Sequence, residues 1–355
     1  MPPQRMTSLP HEDWVSSISC QEPGLFLTGS YDGNIRLFDY SQTLLQTIPV
    51  QSAAITSVAY VKKTNKDTQL VATASHDLTA KLTEVSISPS DPSPSRVLAS
   101  LHLHTGPLTA ISTNAAGSHL LTSSTDELIG LWDTSIPDYD EVPPDDASSE
   151  RKKRRKLDDS QESRAKRKAP ISVLKSHTAR VSKAVFTKDN TNAVSAGFDS
   201  TVRTWDVENG VCTNTITAPA KPFLDIALPV TGQTILAAST DRTVSQYDLR
   251  AASSSAATPS IASLPHPATP SCVAASPVGS GSSEHQLVTG AYDGSVRLWD
   301  LRSEKSAVTS FKVWEGRAGG KKILSIDWAF GMVGIGGEGG VEVWRIGEGD
   351  RLQSS

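Results

Sequence analysis

The chain has 355 residues, with 34 Lys/Arg against 38 Asp/Glu, a net charge of −4 and 37% hydrophobic residues. That near-neutral balance argues against a broadly basic nucleic-acid platform; no stretch approaches the ~18 uninterrupted apolar residues of a membrane helix, and the N-terminus has no signal-peptide core. Cys20, Cys212 and Cys272 are far apart and odd in number, which argues against a disulfide framework and fits a reducing compartment.

In chain order, a short strand is expected at residues 4–9 (QRMTSL), and His11 then opens the strand WVSSIS. From there one pattern repeats seven times: a strand of small residues, a tight turn holding an acid, and a strand ending at or near Trp-Asp. The copies are LTGSYDGNIRLFD (27–39), ATASHDLTAKLTE (72–84), LTSSTDELIGLWD (121–133), VSAGFDSTVRTWD (194–206), LAASTDRTVSQYD (236–248), VTGAYDGSVRLWD (288–300) and GIGGEGGVEVWR (334–345). The turn acids Asp32, Asp77, Asp126, Asp199, Asp241, Asp293 and Glu338 stand 45, 49, 73, 42, 52 and 45 residues apart. Alternating apolar residues in VRLWD and its relatives send opposite rows toward opposite neighbours. Asp32-Gly33 and Asp293-Gly294 supply the positive φ that a tight hairpin demands. A unit this small cannot bury both faces of its own sheet, so the copies close into a ring. Pattern and period resemble the WD40 repeat. The predicted fold is all-β, a seven-bladed WD40 β-propeller over residues 11–346.

The last copy supplies three strands, near 323–329, 332–336 and 341–346. Residues 1–10 are expected to return as the fourth, closing strand, which leaves fewer open edges, and 347–355 read as a polar tail. The WD40 resemblance implies a buried hydrogen-bonded network of a strand-opening His, a Ser or Thr, the turn Asp and the Trp, because a buried carboxylate needs donors close by. It assigns structural roles to His11, His104, His177 and His266 and to Asp32, Asp126, Asp199, Asp241 and Asp293.

Residues 134–170 interrupt the pattern and are almost free of large apolar side chains, so they read as a disordered basic insertion. Within them Arg151, Lys152, Lys153, Arg154, Arg155 and Lys156, then Arg164, Lys166, Arg167 and Lys168, have the spacing of a bipartite nuclear import signal. The plainer alternative is a solvated linker. Residues 135–170 hold 10 of the 34 Lys/Arg and 9 of the 38 Asp/Glu, so the rest of the chain carries a net −5. Direct RNA contact is therefore expected to be weak or indirect, through this segment or a partner.

No GxSxG elbow, P-loop, HExxH or CxxC pair is present, and GIGGEGG (334–340) precedes a strand rather than a helix. No catalytic residue, metal or cofactor is expected, which leaves recognition by exposed residues on a rigid disc. Two positions per repeat emerge on one face. The residue before the turn acid gives Tyr31, His76, Phe198 and Tyr292; the residue three after the strand-opening His gives Trp14, Pro107 and Arg180. Aromatic and Arg side chains are what interface centres favour; the plainer alternative is that each covers its own loop.

HEDWVSSIS (11–19) with LTGSYDGNIRLFD, SHTARVSKAVF (176–186), DSTVRTWDVENG (199–210), ASTDRTVSQYDLR (238–250) and TGAYDGSVRLWDLRS (289–303) resemble the WD-repeat subunits of PeBoW complexes over nearly all of 10–346. The resemblance implies a scaffold in large ribosomal subunit biogenesis, partnered by a block-of-proliferation WD40 protein, a pescadillo protein and pre-ribosomal particles, in nucleus, nucleolus and nucleoplasm. Members of that family carry a ubiquitin-like domain before the propeller that engages the ATPase midasin. Only about ten residues precede His11 here, so a midasin partnership is not expected if the chain is complete, the alternative being a truncated sequence. WDLR (299–302) and YDLR (247–250) also resemble the WDxR boxes of cullin-RING ubiquitin ligase substrate receptors, which is the alternative reading.

Overall fold

The computed structural model describes residues 3–21, 25–39, 41, 43–63, 68–87, 95–143, 165–218, 221–230, 232–250, 259–277, 285–303, 306–315 and 322–346. These form seven sheets and no helix among the described residues. Each sheet is a blade running outward from an inner strand. The inner strands are Val15–Gln21, Ile55–Lys63, Leu108–Thr113, Val181–Phe186, Phe223–Ala227, Pro270–Ala275 and Ile323–Ala329. In the seventh blade the outer strand comes from the other end of the chain: Gln4–Leu9 pairs antiparallel with Gly340–Arg345. Arg5 crosses this seam to Glu342, a buried carboxylate 3.1 Å away.

The core lies between blades. Seven apolar clusters each straddle one junction, as Leu27, Ile35 and Ile48 meet Ile55, Val58 and Val71 between the first two blades. At the closing junction Leu9, Val341 and Val343 meet Val15, Ile18 and Phe38. Truncating one such side chain to Ala costs about 2–5 kcal/mol. The small-residue strands follow from this packing. A side chain at Gly29 would lie 2.6 Å from Val58, so the next blade's inner strand needs the glycine.

Around the axis the inner strands present an unpaired edge, and hydroxyl or carboxylate side chains tie it to the neighbouring blade. Ser16, Ser57, Thr109, Ser182 and Ser271 donate to the carbonyls of Ile55, Ile111, Val181, Phe223 and Ile323. Asp225 accepts from the Val273 amide, and Ser325 from the Ile18 amide. Every junction is bridged, which satisfies backbone groups that no strand could reach.

The turns show the expected left-handed backbone at Gly33 (φ 79°) and Gly294 (φ 77°). In four other blades Leu78, Glu127, Ser200 and Arg242 take it despite their side chains. Glu338 departs from the sequence alignment: Gly337 pairs with Gly340, so this turn is shorter, and Glu338 donates its amide to Lys322 as Tyr292 does to Thr269. It occupies the position before the turn acid, not that of the acid itself.

The basic insertion requires a correction at its ends. Residues 134–143 and 165–170 are described, and Lys166–Lys168 is a strand, parallel to Arg96–Leu101 on the outer edge of the second blade. Lys168 is 1% exposed; its ammonium donates to Asp133 at 2.7 Å and to the Ser135 carbonyl at 2.6 Å. Arg167 is buried, its amide donating to Asp140 and its guanidinium to the Pro143 carbonyl. Asp133 meets the Lys168 charge and the Pro143 carbonyl and His102 meet that of Arg167, so these two buried side chains do not lie open as an import arm. Arg151–Lys156 and Arg164, and the tail at 347–355, lie outside the described residues.

Candidate partner-binding face

The support for the face starts with the buried networks. In the third blade His104 Nδ1 lies 3.0 Å from Asp126 and its Nε2 2.8 Å from Thr122, to which the Trp132 indole also donates. The fourth repeats this with His177, Asp199, Ser195 and Trp205. Burial alone would raise both carboxyls, but the imidazole bonds and charge hold Asp126 and Asp199 at about 2.

The expected network is altered in three blades. His11 reaches Thr28 with one nitrogen but the Leu9 carbonyl with the other, while Arg36 takes Asp32 at 2.6 Å. A guanidinium on the adjacent strand satisfies that acid, so the imidazole turns away. His266 bonds Thr289 and the Leu264 carbonyl, while Asp293 accepts from the Ser295 amide and hydroxyl. Asp241 pairs with Lys221 at 3.0 Å and accepts from Thr243. Burial drives the His11 and His266 imidazoles down to about 4, so both are neutral at pH 7.

One backbone hydrogen bond then sets the face. In every blade the turn position donates its amide to the carbonyl opening the inner strand: Tyr31 to Trp14, His76 to Ala54, Thr125 to Pro107, Phe198 to Arg180, Thr240 to Pro222, Tyr292 to Thr269 and Glu338 to Lys322. The two positions chosen from the sequence are therefore adjacent wherever both are filled. The Trp14 and Tyr31 rings lie 5.6 Å apart and Tyr31 and His76 6.4 Å apart. Arg180 stacks on Phe198, its Cζ 4.9 Å from the ring centre. Trp14, Tyr31 and Tyr292 are 43%, 37% and 39% exposed, large apolar area for a surface.

Tyr31, His76, Pro107, Arg180 and Tyr292 line the mouth of the axis, a cavity of about 260 Å³. Trp14 and Phe198 flank it through their ring contacts. Sequence reasoning missed the inner rim: Ser16, Thr56, Thr109, Ser182, Leu224, Ser271 and Leu324. The signal was present, since each is the second residue of an inner strand, directly after an apolar one. Below the rim Lys183 pairs with Asp225 at 2.7 Å, and burial raises the Asp327 carboxyl. A larger hollow of about 620 Å³ lies between the third and fourth blades, around Ile171, Asn190 and Glu208. It uses the turns at the other end of the strands, on the opposite face.

Among the described residues no group of three or more His, Cys, Asp or Glu could hold a metal ion. The arginines of the two WDxR-like boxes close on their own acids, Arg250 on Asp248 at 2.7 Å and Arg302 on Asp300 at 2.6 Å.

Residues 3–39, 95–133, 168–206 and 259–300 match the family model described as WD domain, G-beta repeat. The chain is 55% identical to the ribosome biogenesis protein YTM1 of Laccaria bicolor over 98% of its own length and 77% of the relative's. It is 52% identical to the same-named protein of Coprinopsis cinerea, over 98% and 77%. With the ribosome biogenesis protein WDR12 homolog of Ixodes scapularis it shares 30% identity over 95% and 75%. None of these names carries a ubiquitin-ligase role. The chain thus belongs to the WD-repeat family of the ribosome biogenesis proteins YTM1 and WDR12.

Proposed function

We propose that this propeller is a non-catalytic scaffold in ribosome biogenesis, serving the large subunit by docking its axial face onto a block-of-proliferation WD40 protein within a PeBoW assembly. That assembly includes a pescadillo-type protein and joins pre-ribosomal particles in the nucleolus and nucleoplasm. The observation that carries the reading is the convergence of Trp14, Tyr31, His76, Arg180, Phe198 and Tyr292 on one face around the axis. Their backbone is fixed by the repeated amide bond, so side chains there lose little freedom on binding. Nuclear entry is assigned to the Arg151–Lys156 cluster or to a bound partner.

Purified chain and purified block-of-proliferation propeller, both free of RNA, should co-elute as an equimolar complex at micromolar concentration. Separate elution would overturn the reading. Pull-down from nuclear extract adds the class of partner: pescadillo and pre-ribosomal proteins are expected, and a cullin with its adaptor would contradict it.

A further inference from the structure

Arg36, Lys81, Lys168, Lys183, Arg203 and Lys221 each meet a carboxylate within the fold. Arg180 does not. Its guanidinium rests on the Phe198 ring and overhangs the axial mouth with Tyr31 and Tyr292. Among the described residues no Asp or Glu lines that mouth. The Thr56 hydroxyl, also on its lining, is buried with no hydrogen-bond partner among the described residues. Four rim hydroxyls, those of Ser16, Thr109, Ser182 and Ser271, are committed to the next blade's carbonyls. Among the described residues the uncommitted donors at the mouth are therefore the Arg180 guanidinium, the Thr56 hydroxyl and the His76 imidazole, with the tyrosyl hydroxyls beside them. A desolvated donor and a guanidinium without a carboxylate are costly to leave unmet when a partner covers the face.

We infer that the axial mouth receives one acidic side chain, an Asp or Glu on a loop of the docked protein, paired with Arg180 and hydrogen-bonded by Thr56. A cavity of about 260 Å³ admits a side chain and its flanking backbone but not a helix ~10–12 Å across. A single cation suits a carboxylate, whose two oxygens match the planar fork. An RNA backbone needs several neutralising cations together, and among the described residues Arg180 is the one Lys or Arg on this lining. Lys183, one residue further along the strand, is already matched by Asp225. Asp327 lies deeper, and burial favours its neutral form.

The inference rests on docking by the axial face, and one set of titrations separates the two claims. Calorimetry would measure the full chain against RNA-free block-of-proliferation propeller. Arg180→Glu should weaken binding at least ~100-fold, Arg180→Lys about 10-fold, and one Asp or Glu→Lys change in the partner should restore binding to Arg180→Glu. Arg180→Gln, neutral and similar in size, is read in its place if the Glu variant melts lower than wild type. Unchanged affinity at Arg180, beside weakened binding by Tyr31→Ala with Tyr292→Ala, would overturn the acidic side chain and keep the face. Unchanged affinity in all of them would overturn the face itself. A single-stranded 20-nucleotide RNA that binds wild type but not Arg180→Glu, while the protein partner binds both alike, would assign the site to phosphate and overturn the proposal.

Discussion

At the scale of single residues, the same sequence letter does different work in different blades. Asp199 is 4% exposed and accepts from Thr178, Thr201 and His177, with Arg203 3.7 Å away. Among the described residues Asp293 accepts only within its own turn, from Ser295. Asp199→Ala leaves a buried imidazole, the Thr201 hydroxyl and the Thr178 and Thr201 amides without their acceptor and should cost roughly 2–4 kcal/mol in urea denaturation, against about 1 kcal/mol for Asp293→Ala. Equal losses would contradict the distinction. The histidines give a pH test. His266 is depressed to about 4 when folded, below its ordinary 6.5, so its contribution is fully present above pH 6.5. Stability then falls as pH drops from 6.5 toward 4, because the unfolded state takes up the proton first. The complete shift corresponds to about 3 kcal/mol at most. Proton NMR should find the His266 imidazole neutral down to pH 5; protonation near 6.5 would contradict its burial. Repetition made the Asp positions legible in the sequence. The intrusion of Arg36 on Asp32 was not, because it depends on which side chain of the adjacent strand reaches the turn.

Among the elements, the strand Lys166–Lys168 shows where charge counting misleads. A run of basic residues reads as solvated, yet three of them form a fifth strand on the second blade while Lys168 ties it to Asp133 of the third. The clue lay in the acids of the same insertion, Asp140 and Glu141, which accept from the Arg167 and Ala169 amides. Asp133→Ala removes the charge partner of a buried ammonium and should destabilise by roughly 3 kcal/mol, while Lys168→Met should cost less. Replacing Lys152, Lys153, Arg154 and Arg155 with Ala should instead leave the melt unchanged and lower nuclear accumulation. A lowered melt in that variant would contradict this division, and undiminished nuclear fluorescence would assign import to a bound partner. Most blade strands were readable from period-2 alternation and turn acids. The seventh turn was not, because Glu338 looks like the others in sequence while its hairpin is one residue shorter.

For the whole molecule, rigidity comes from closure. Seven interblade cores and a ring of side-chain ties at the axis make each blade depend on two neighbours, and Gln4–Leu9 completes the circle. Removing residues 1–10 uncovers the edge of Gly340–Arg345 and leaves Glu342 without Arg5. The melting temperature should fall sharply; an unchanged melt would show that the ring does not need this strand. The same rigidity presents the axial face as a preformed surface, and this links the fold to the proposed scaffold role. The most direct measurement is the calorimetric affinity of the full chain for the block-of-proliferation propeller, comparing two double variants. Tyr31→Ala with Tyr292→Ala removes aromatic area from the axial face, while Ile171→Ala with Glu208→Ala alters the hollow on the opposite one. The axial pair should weaken binding by roughly 1–4 kcal/mol with little change in melting temperature, and the opposite pair should leave affinity as in wild type. Affinity lost only through Ile171 and Glu208 would contradict docking by the axial face.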